Sequence, residues 1–370
     1  MAEALTNQFG PEIPLRLART LVEVDPHFPS EAFLQDALCG YETLPLLPRA
    51  KHLASALFRH LPADYGRAIE MLLRSLGPKL TKTEGHGMAP FFYLPHTLFV
   101  AEYGLEHFEP SMLAQYELTQ RFTAEFSIRP FLERHPEKTL ARLRLWAKDP
   151  SPHVRRLVSE GTRPRLPWAP RLQRLRQDPR PAIELLEMLK DDPESYVRRS
   201  VANHLNDLGK EHPEWLLRIA REWSRNAPPL RRDLLRHALR SLLKQKNPAA
   251  LEILGYAPLQ SIEVARAALA PETLRIGEST TLTFEVTNHS PHPQNLRADF
   301  RVHFLRADGK TSPKVFRVPL ETLAPGERVL CRRKISLAHK TTRRHYPGTH
   351  RVEIQLNGEV FEAGCFDLLP

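Results

Sequence analysis

The sequence predicts a mainly α protein: an α-solenoid of HEAT-like repeats followed by a C-terminal immunoglobulin-like β-sandwich. Three observations lead there. Apolar residues are spaced for helices from the start of the chain to about residue 256, one helical segment recurs as a near copy, and an alternating pattern takes over after Tyr256. At 370 residues, 41% hydrophobic and 26% charged, the chain is long enough for two domains and has ordinary globular composition.

Each helical stretch carries its own apolar stripe. Leu15, Ala18, Leu21 and Val22 share one face, and Ala54, Leu57 and Leu61, then Ile69, Leu72 and Leu73, repeat the pattern. Proline punctuates these stretches at Pro26, Pro48, Pro62, Pro110, Pro136, Pro152, Pro181, Pro193, Pro213 and Pro228. Each is placed where a first-turn proline can open a helix, since its missing N–H would have no helical partner there anyway. Proline is abundant (34) and glycine scarce (16), a balance suited to short helices joined by stiff turns.

Two segments are near copies. Asp149-Pro150-Ser151-Pro152-His153-Val154-Arg155-Arg156-Leu157-Val158-Ser159-Glu160 aligns with Asp192-Pro193-Glu194-Ser195-Tyr196-Val197-Arg198-Arg199-Ser200-Val201-Ala202-Asn203 at an offset of 43 residues, inside the period of HEAT-type repeats. The aspartate is expected to cap the helix and the proline to fix its first turn, with valines and leucine facing a neighbouring helix and the paired arginines on the other side. Pro229-Leu230-Arg231-Arg232 opens a third, looser copy. Stacked repeats of this kind offer a long surface for an extended partner.

After Tyr256 the period changes to two. Leu282, Phe284 and Val286 alternate with polar residues, as do Val352, Ile354 and Leu356, and Asn357-Gly358 supplies a hairpin turn. Several short strands over about 110 residues suggest the small β-sandwich. The boundary is expected near residues 257–262, giving domains 1–257 and 258–370.

Charge is unevenly placed. The chain carries +10 overall, with −5 over residues 1–128, +12 over 129–246 and +4 over 261–370. A basic centre behind an acidic first third points to a polyanionic partner, against the plainer reading of a solvated basic face. The longest apolar runs, such as Leu44 to Leu47 and Ala89 to Tyr93, fall far short of the roughly 20 residues a membrane span needs. The N-terminus lacks the basic and apolar regions of a secretory signal, so a cytoplasmic location and no membrane association are expected.

Few residues offer chemistry. No Gly-rich phosphate loop, His/Cys metal cluster or G-x-S-x-G elbow is present, and Cys39, Cys331 and Cys365 are too few and scattered for a disulfide framework or zinc site. Neither a metal nor a cofactor is expected. What remains is a set of acids near the basic repeats. Glu160 lies one turn after Arg156; Arg199, Asn203 and Asp207 follow at i, i+4 and i+8; Glu125 precedes Phe126-Ser127-Ile128-Arg129-Pro130-Phe131. For Glu160 and Asp207, surface pairing with arginines of their own helix is the competing account. Trp168, between Pro167 and Pro170 where no helix can run, is either a packing plug or a presented contact.

At these residues the chain resembles the AlkC branch of the AlkC/AlkD alkylpurine DNA glycosylases. The resemblance rests on Phe122-Thr123-Ala124-Glu125-Phe126-Ser127-Ile128-Arg129-Pro130-Phe131, on the Val-Arg-Arg repeats, on Ser159-Glu160-Gly161-Thr162-Arg163-Pro164-Arg165-Leu166-Pro167-Trp168 and on Val201-Ala202-Asn203-His204-Leu205-Asn206-Asp207. It covers most of residues 1–256, and the Glu-Gly-x-Arg-Pro-x-x-Pro-Trp run is its most specific part. The trailing β-domain agrees with AlkC-type members and is unlike the shorter AlkD type.

The resemblance implies a monofunctional, monomeric glycosylase that removes cationic alkylated bases, notably 3-methyladenine and also 3-methylcytosine, from double-stranded DNA near the nucleoid, without flipping the damaged nucleotide into a deep pocket. By position it implies Glu125, Glu160, Trp168 and Asp207 as the residues of the catalytic cleft. An N3-methylated adenine already carries a positive charge and leaves neutral, so no acid need protonate it. Carboxylates would stabilise the oxocarbenium-like sugar, one of them orienting water, while an indole face supports the same cation. Phosphate contacts are expected from Arg155, Arg156, Arg163, Arg198, Arg199, Arg231 and Arg232, and from Arg343 and Arg344 in a basic loop of the β-domain. The competing function is a non-enzymatic HEAT-repeat scaffold for nucleic acid or an acidic protein, which leaves Trp168 beside Glu160 without a reason.

Overall fold

The structure, a computed structural model, describes residues 8–339 and 344–370. Helices run in the order α1 (Glu12–Val24), α2 (Ser30–Leu38), α3 (Leu46–His60), α4 (Tyr65–Arg74), α5 (Leu94–Tyr103), α6 (Phe108–Thr119), α7 (Ile128–Arg134) and α8 (Pro136–Trp146). They continue as α9 (Pro152–Gly161), α10 (Gln173–Gln177), α11 (Arg180–Leu189), α12 (Ser195–Leu208), α13 (Pro213–Ser224), α14 (Pro229–Ala238), α15 (Arg240–Lys244) and α16 (Pro248–Ile253). Proline opens several of them as expected: Pro136, Pro152 and Pro213 are the first residues of α8, α9 and α13, and Pro181 is the second of α11.

The sequence copies are neighbours in space, with α12 packed against both α9 and α14. Val154, Leu157 and Val158 of α9 and Val197, Val201 and Leu205 of α12 are completely buried between them. One detail differs from the sequence reading. The repeated aspartates do not cap the helices, because α9 and α12 begin later, after Ser151 and Glu194. Each aspartate instead closes the preceding turn: Asp149 Oδ1 accepts from the Ser151 N–H at 2.8 Å, and Asp192 Oδ1 from the Glu194 N–H at 2.9 Å.

The first arginine of each pair belongs to the same device. Arg155 Nη1 donates to the carbonyls of Asp149 and Pro150, and Arg198 Nη1 to those of Asp192 and Pro193, so each guanidinium folds back on its own turn. Arg155 also reaches the next repeat, where Nε and Nη2 hold the two oxygens of Asp192 at 2.6 and 3.0 Å. From the other side Arg231 grips Asp191, its Nε at 2.7 Å from Oδ1. The adjacent acids Asp191 and Asp192 thus tie three repeats together.

The change from helix to strand falls between Ile253 and Ile262. The strands are β1 (Ile262–Ala270), β2 (Thr273–Arg275), β3 (Ser279–Asn288), β4 (Gln294–Asn295), β5 (Ala298–Leu305), β6 (Thr311–Arg317), β7 (Thr322–Leu323), β8 (Arg328–Ser336), β9 (Gly348–Leu356) and β10 (Glu359–Leu369). They form a sheet β1-β3-β8, a second β2-β10-β9-β5-β6 and a small pair β4-β7. Leu282, Phe284 and Val286 of β3 meet Val352, Ile354 and Leu356 of β9 in one core. Asn357 (φ 44°) and Gly358 (φ 91°) turn β9 into β10 with both residues left-handed, as a two-residue hairpin requires.

The chain divides into two compact units, but not at residues 257/258. One comprises 1–213 and 228–238, the other 214–227 and 239–370. The physical reason is that α15 and α16 pack into the β-unit. A Cβ built on Gly358 would lie 3.2 Å from Leu251, and Asn357 Nδ2 donates to the Ala257 carbonyl at 2.7 Å.

Asp192 is almost fully enclosed, so removing its partner strands a buried carboxylate. Arg155→Ala should therefore lower the unfolding free energy by about 3 kcal/mol, read from denaturant midpoints. A change below 0.5 kcal/mol, about the range of an ordinary surface position, would show that the clamp does not hold the repeats.

Candidate active site

An open cleft of about 400 Å³ lies beside α9 and α12, and Glu125, Glu160 and Trp168 all line it. Glu160 sits at the C-terminal end of α9, where Gly161 makes a close approach possible. A Cβ on that glycine would stand 2.5 Å from Cγ2 of Ile128 at the start of α7. The helix end therefore presses onto α7, which brings Glu160 beside Glu125 on the segment just before α7.

The Pro-bounded loop after α9 is pinned from beneath. Arg129 is buried, and its Nη1 donates to the carbonyls of Gly161 (3.1 Å) and Arg163 (2.7 Å), while Nη2 donates to that of Pro170 (2.5 Å). Trp168, between these anchor points, is 58% exposed and has φ 64°. A bulky residue with positive φ is strained by about 1–3 kcal/mol and persists only where surrounding contacts impose it. The indole is a presented contact and not a core plug.

Charges in the cleft are interlocked. Arg156 binds Glu125 Oε2 at 2.7 Å and Glu160 Oε1 at 3.5 Å, donates to Thr123 Oγ1, and lies over the Tyr196 ring. Arg163 bridges two acids, with Nη1 at 2.5 Å from Glu160 Oε1 and Nε and Nη2 at 2.9 and 2.6 Å from Asp207 Oδ2. Ser200 Oγ donates to Glu160 Oε2 at 2.5 Å, and Lys210 Nζ holds Asp207 Oδ1 at 2.8 Å. Three carboxylates face three cations. Burial alone would raise the Glu160 carboxyl, but the charges of Arg156 and Arg163 and the bonds from Ser200 and Arg163 outweigh it and hold the group below the usual carboxylate range. Burial pushes His204, under α9, down to about 4, so it donates to the Ser159 carbonyl as a neutral ring.

The four cleft residues named from the sequence divide into three on the wall and one behind it. Asp207 does not line the cleft; it joins the site through Arg163. Surface pairing is not the account of either helical acid, since Glu160 and Asp207 are 5% and 2% exposed. The arginines also divide. Arg156 and Arg163 are consumed by the acids, and Arg155, Arg198 and Arg231 by the repeat turns, whereas Arg199 and Arg232 are exposed. In the β-domain Arg344 is exposed, and Arg343 lies outside the described residues.

Sequence reading missed Thr123, Tyr196 and Ser200 as parts of the site. Ser200 had a signal: it stands where the other copy has Leu157, a polar residue in a buried row. His153 and Tyr196 likewise occupy one repeat position, and both line the cleft. Among the described residues no group of three or more His, Cys, Asp or Glu side chains is arranged to hold a metal ion, and no helix is long and apolar enough to cross a membrane.

Comparison with known proteins agrees with this architecture. Residues 121–242 match the family model for DNA alkylation repair enzymes, and residues 263–370 match that of the C-terminal Ig-like domain of the uncharacterised protein YhaZ. The uncharacterised YhaZ of Bacillus subtilis (strain 168) is 36% identical over 344 residues, 93% of either chain. The structure of Pseudomonas fluorescens alkylpurine DNA glycosylase AlkC, bound to DNA containing an abasic site analogue, superposes with a TM-score of 0.91 at 35% identity over all of both chains.

The lowered Glu160 carboxyl makes a pH prediction. The unfolded chain binds that proton more readily than the folded one, so the group's stabilisation is full above its unfolded value of about 4.3 and drains as pH falls through the lower folded value. The difference in unfolding free energy between wild type and Glu160→Gln should hold steady from pH 8 to 5 and shrink below pH 4. A difference that stays flat to pH 3 would contradict the charge network.

Proposed function

The chain belongs to the AlkC-like family of DNA alkylation repair enzymes, and on that premise we propose that it is a monofunctional glycosylase removing cationic alkylated bases, 3-methyladenine foremost, from duplex DNA without drawing the nucleotide into a deep pocket. The observation that carries this reading is the trio of carboxylates paired with Arg156, Arg163 and Lys210 beside an exposed indole.

A 3-methyladenine nucleotide is already a cation, and cutting its N-glycosidic bond moves the positive charge to the deoxyribose. Fixed carboxylates near C1′ lower the energy of that state without having to reorganise. Glu160 supplies charge in this scheme and does not handle water, because Ser200, Arg156 and Arg163 already occupy its oxygens. Glu125 is half-buried, and Thr123 and Arg156 both bind its Oε2. Its other oxygen is therefore assigned to orienting the attacking water. Asp207 fixes Arg163 and through it Glu160. Trp168 offers its face to the cationic sugar and base. Arg199 and Arg232, exposed on the repeats, hold phosphates.

The decisive assay is release of free methylated base from alkylated duplex DNA, with no release supporting a scaffold instead. Glu125→Gln should slow single-turnover excision about 10²-fold, and Trp168→Ala should slow it with little change in melting temperature. A drop of many degrees would return Trp168 to a packing role.

Affinity for DNA should fall with salt at a log–log slope near −0.9 per phosphate contact. Arg199→Ala should flatten the slope by about one unit, whereas Arg155→Ala should leave it unchanged. The reverse pattern would exchange their roles.

A further inference from the structure

Behind Trp168 lies a second cavity, of about 500 Å³, within the size range of small-molecule sites. It shares Trp168 and Phe126 with the cleft, so these two rings form a common wall. Leu98 and Ala101 of α5 lie opposite. We propose that this cavity receives the free methylated purine after excision, an inference that rests on the glycosylase reading.

The cleft presents Glu125 and Glu160 to a cation, but the base that leaves is neutral and flat. A neutral ring system is favoured by apolar and aromatic walls with a few groups at the edge, as here. The acids Glu102 and Glu133 are more than offset by Lys51, Arg129 and Arg171, so the lining does not call for a cation. Glu102 is only loosely paired with Lys51, at 3.6 Å. Its carboxylate is thus able to accept from a purine amino group while Lys51 donates to a ring nitrogen. The cavity is also preformed. Arg129 fixes the loop by three carbonyl bonds, and the α10 end is held by the Gln173 N–H donating to Glu133 Oε1 at 3.1 Å. An indole has two faces, and a wall residue serves both sides.

The test is titration of 3-methyladenine free base into wild type, Ala101→Phe and Glu125→Gln, by calorimetry, with single-turnover excision measured alongside. Wild type and Glu125→Gln should bind alike, and Ala101→Phe, which fills the cavity, at least tenfold more weakly. Ala101→Phe should keep its single-turnover rate within twofold and lose inhibition by added base. Should Ala101→Phe melt early, Glu102→Ala serves the same comparison, since that side chain is exposed. No binding by wild type, undiminished binding by the cavity variants, or loss of binding in Glu125→Gln would each overturn the proposal. A wild type that binds base here yet excises nothing would sink the glycosylase reading and leave this site standing.

Discussion

Two carboxylates on the wall of a cleft and a third just behind it can crowd together only if their repulsion is cancelled, and the guanidinium groups of Arg156 and Arg163 do most of that. Each spans two acids from different parts of the chain. Arg156 joins Glu125, before α7, to Glu160 at the end of α9; Arg163 joins Glu160 to Asp207 at the end of α12. The bridges are therefore structural and electrostatic at once, tying the repeats together and placing a cation beside each acid. The local sum is close to zero, so the site does not repel a phosphate backbone as three bare acids would. Its negative charge is concentrated at particular oxygens, where a localised cation feels it at short range.

The fold was legible because its signals are local and repeated. Proline at helix starts, the copied Asp-Pro turns and the alternation in β3 and β9 each specify an element without knowledge of the rest. The site was only partly legible. Glu125, Glu160 and Trp168 stood out by residue type and by a short specific run, and the structure brings them to one cleft. The arginines were harder, because an arginine aimed at a phosphate and one folded back on a carbonyl look the same in sequence. Arg155 folds back on its own turn and reaches an acid that only the fold brings near, Asp192, 37 residues away, whereas Arg199 stays exposed. Ser200 was readable in principle, as a polar residue in an apolar row, but its meaning depends on the oxygen of Glu160 40 residues away.

Trp168 shows how a weak position is made firm. Nothing in the side chain itself favours its backbone geometry, and the indole is largely in solvent. The support comes from below, where Arg129 gathers three carbonyls of one loop, and from Gly161, whose missing side chain lets Ile128 close against the helix end. The presented ring and the acid beside it are thus positioned by buried residues.

The chain passes between its compact units three times, near residues 213, 227 and 238. During synthesis the ribosome releases residues 214–227 before the last helix of the first unit, yet their own unit is completed only by strands made more than 100 residues later. Residues 214–227 therefore leave the ribosome well before their own unit can be complete. The same threading means that no single proteolytic cut separates the two units cleanly, because at least one fragment always carries away a segment that belongs to the other.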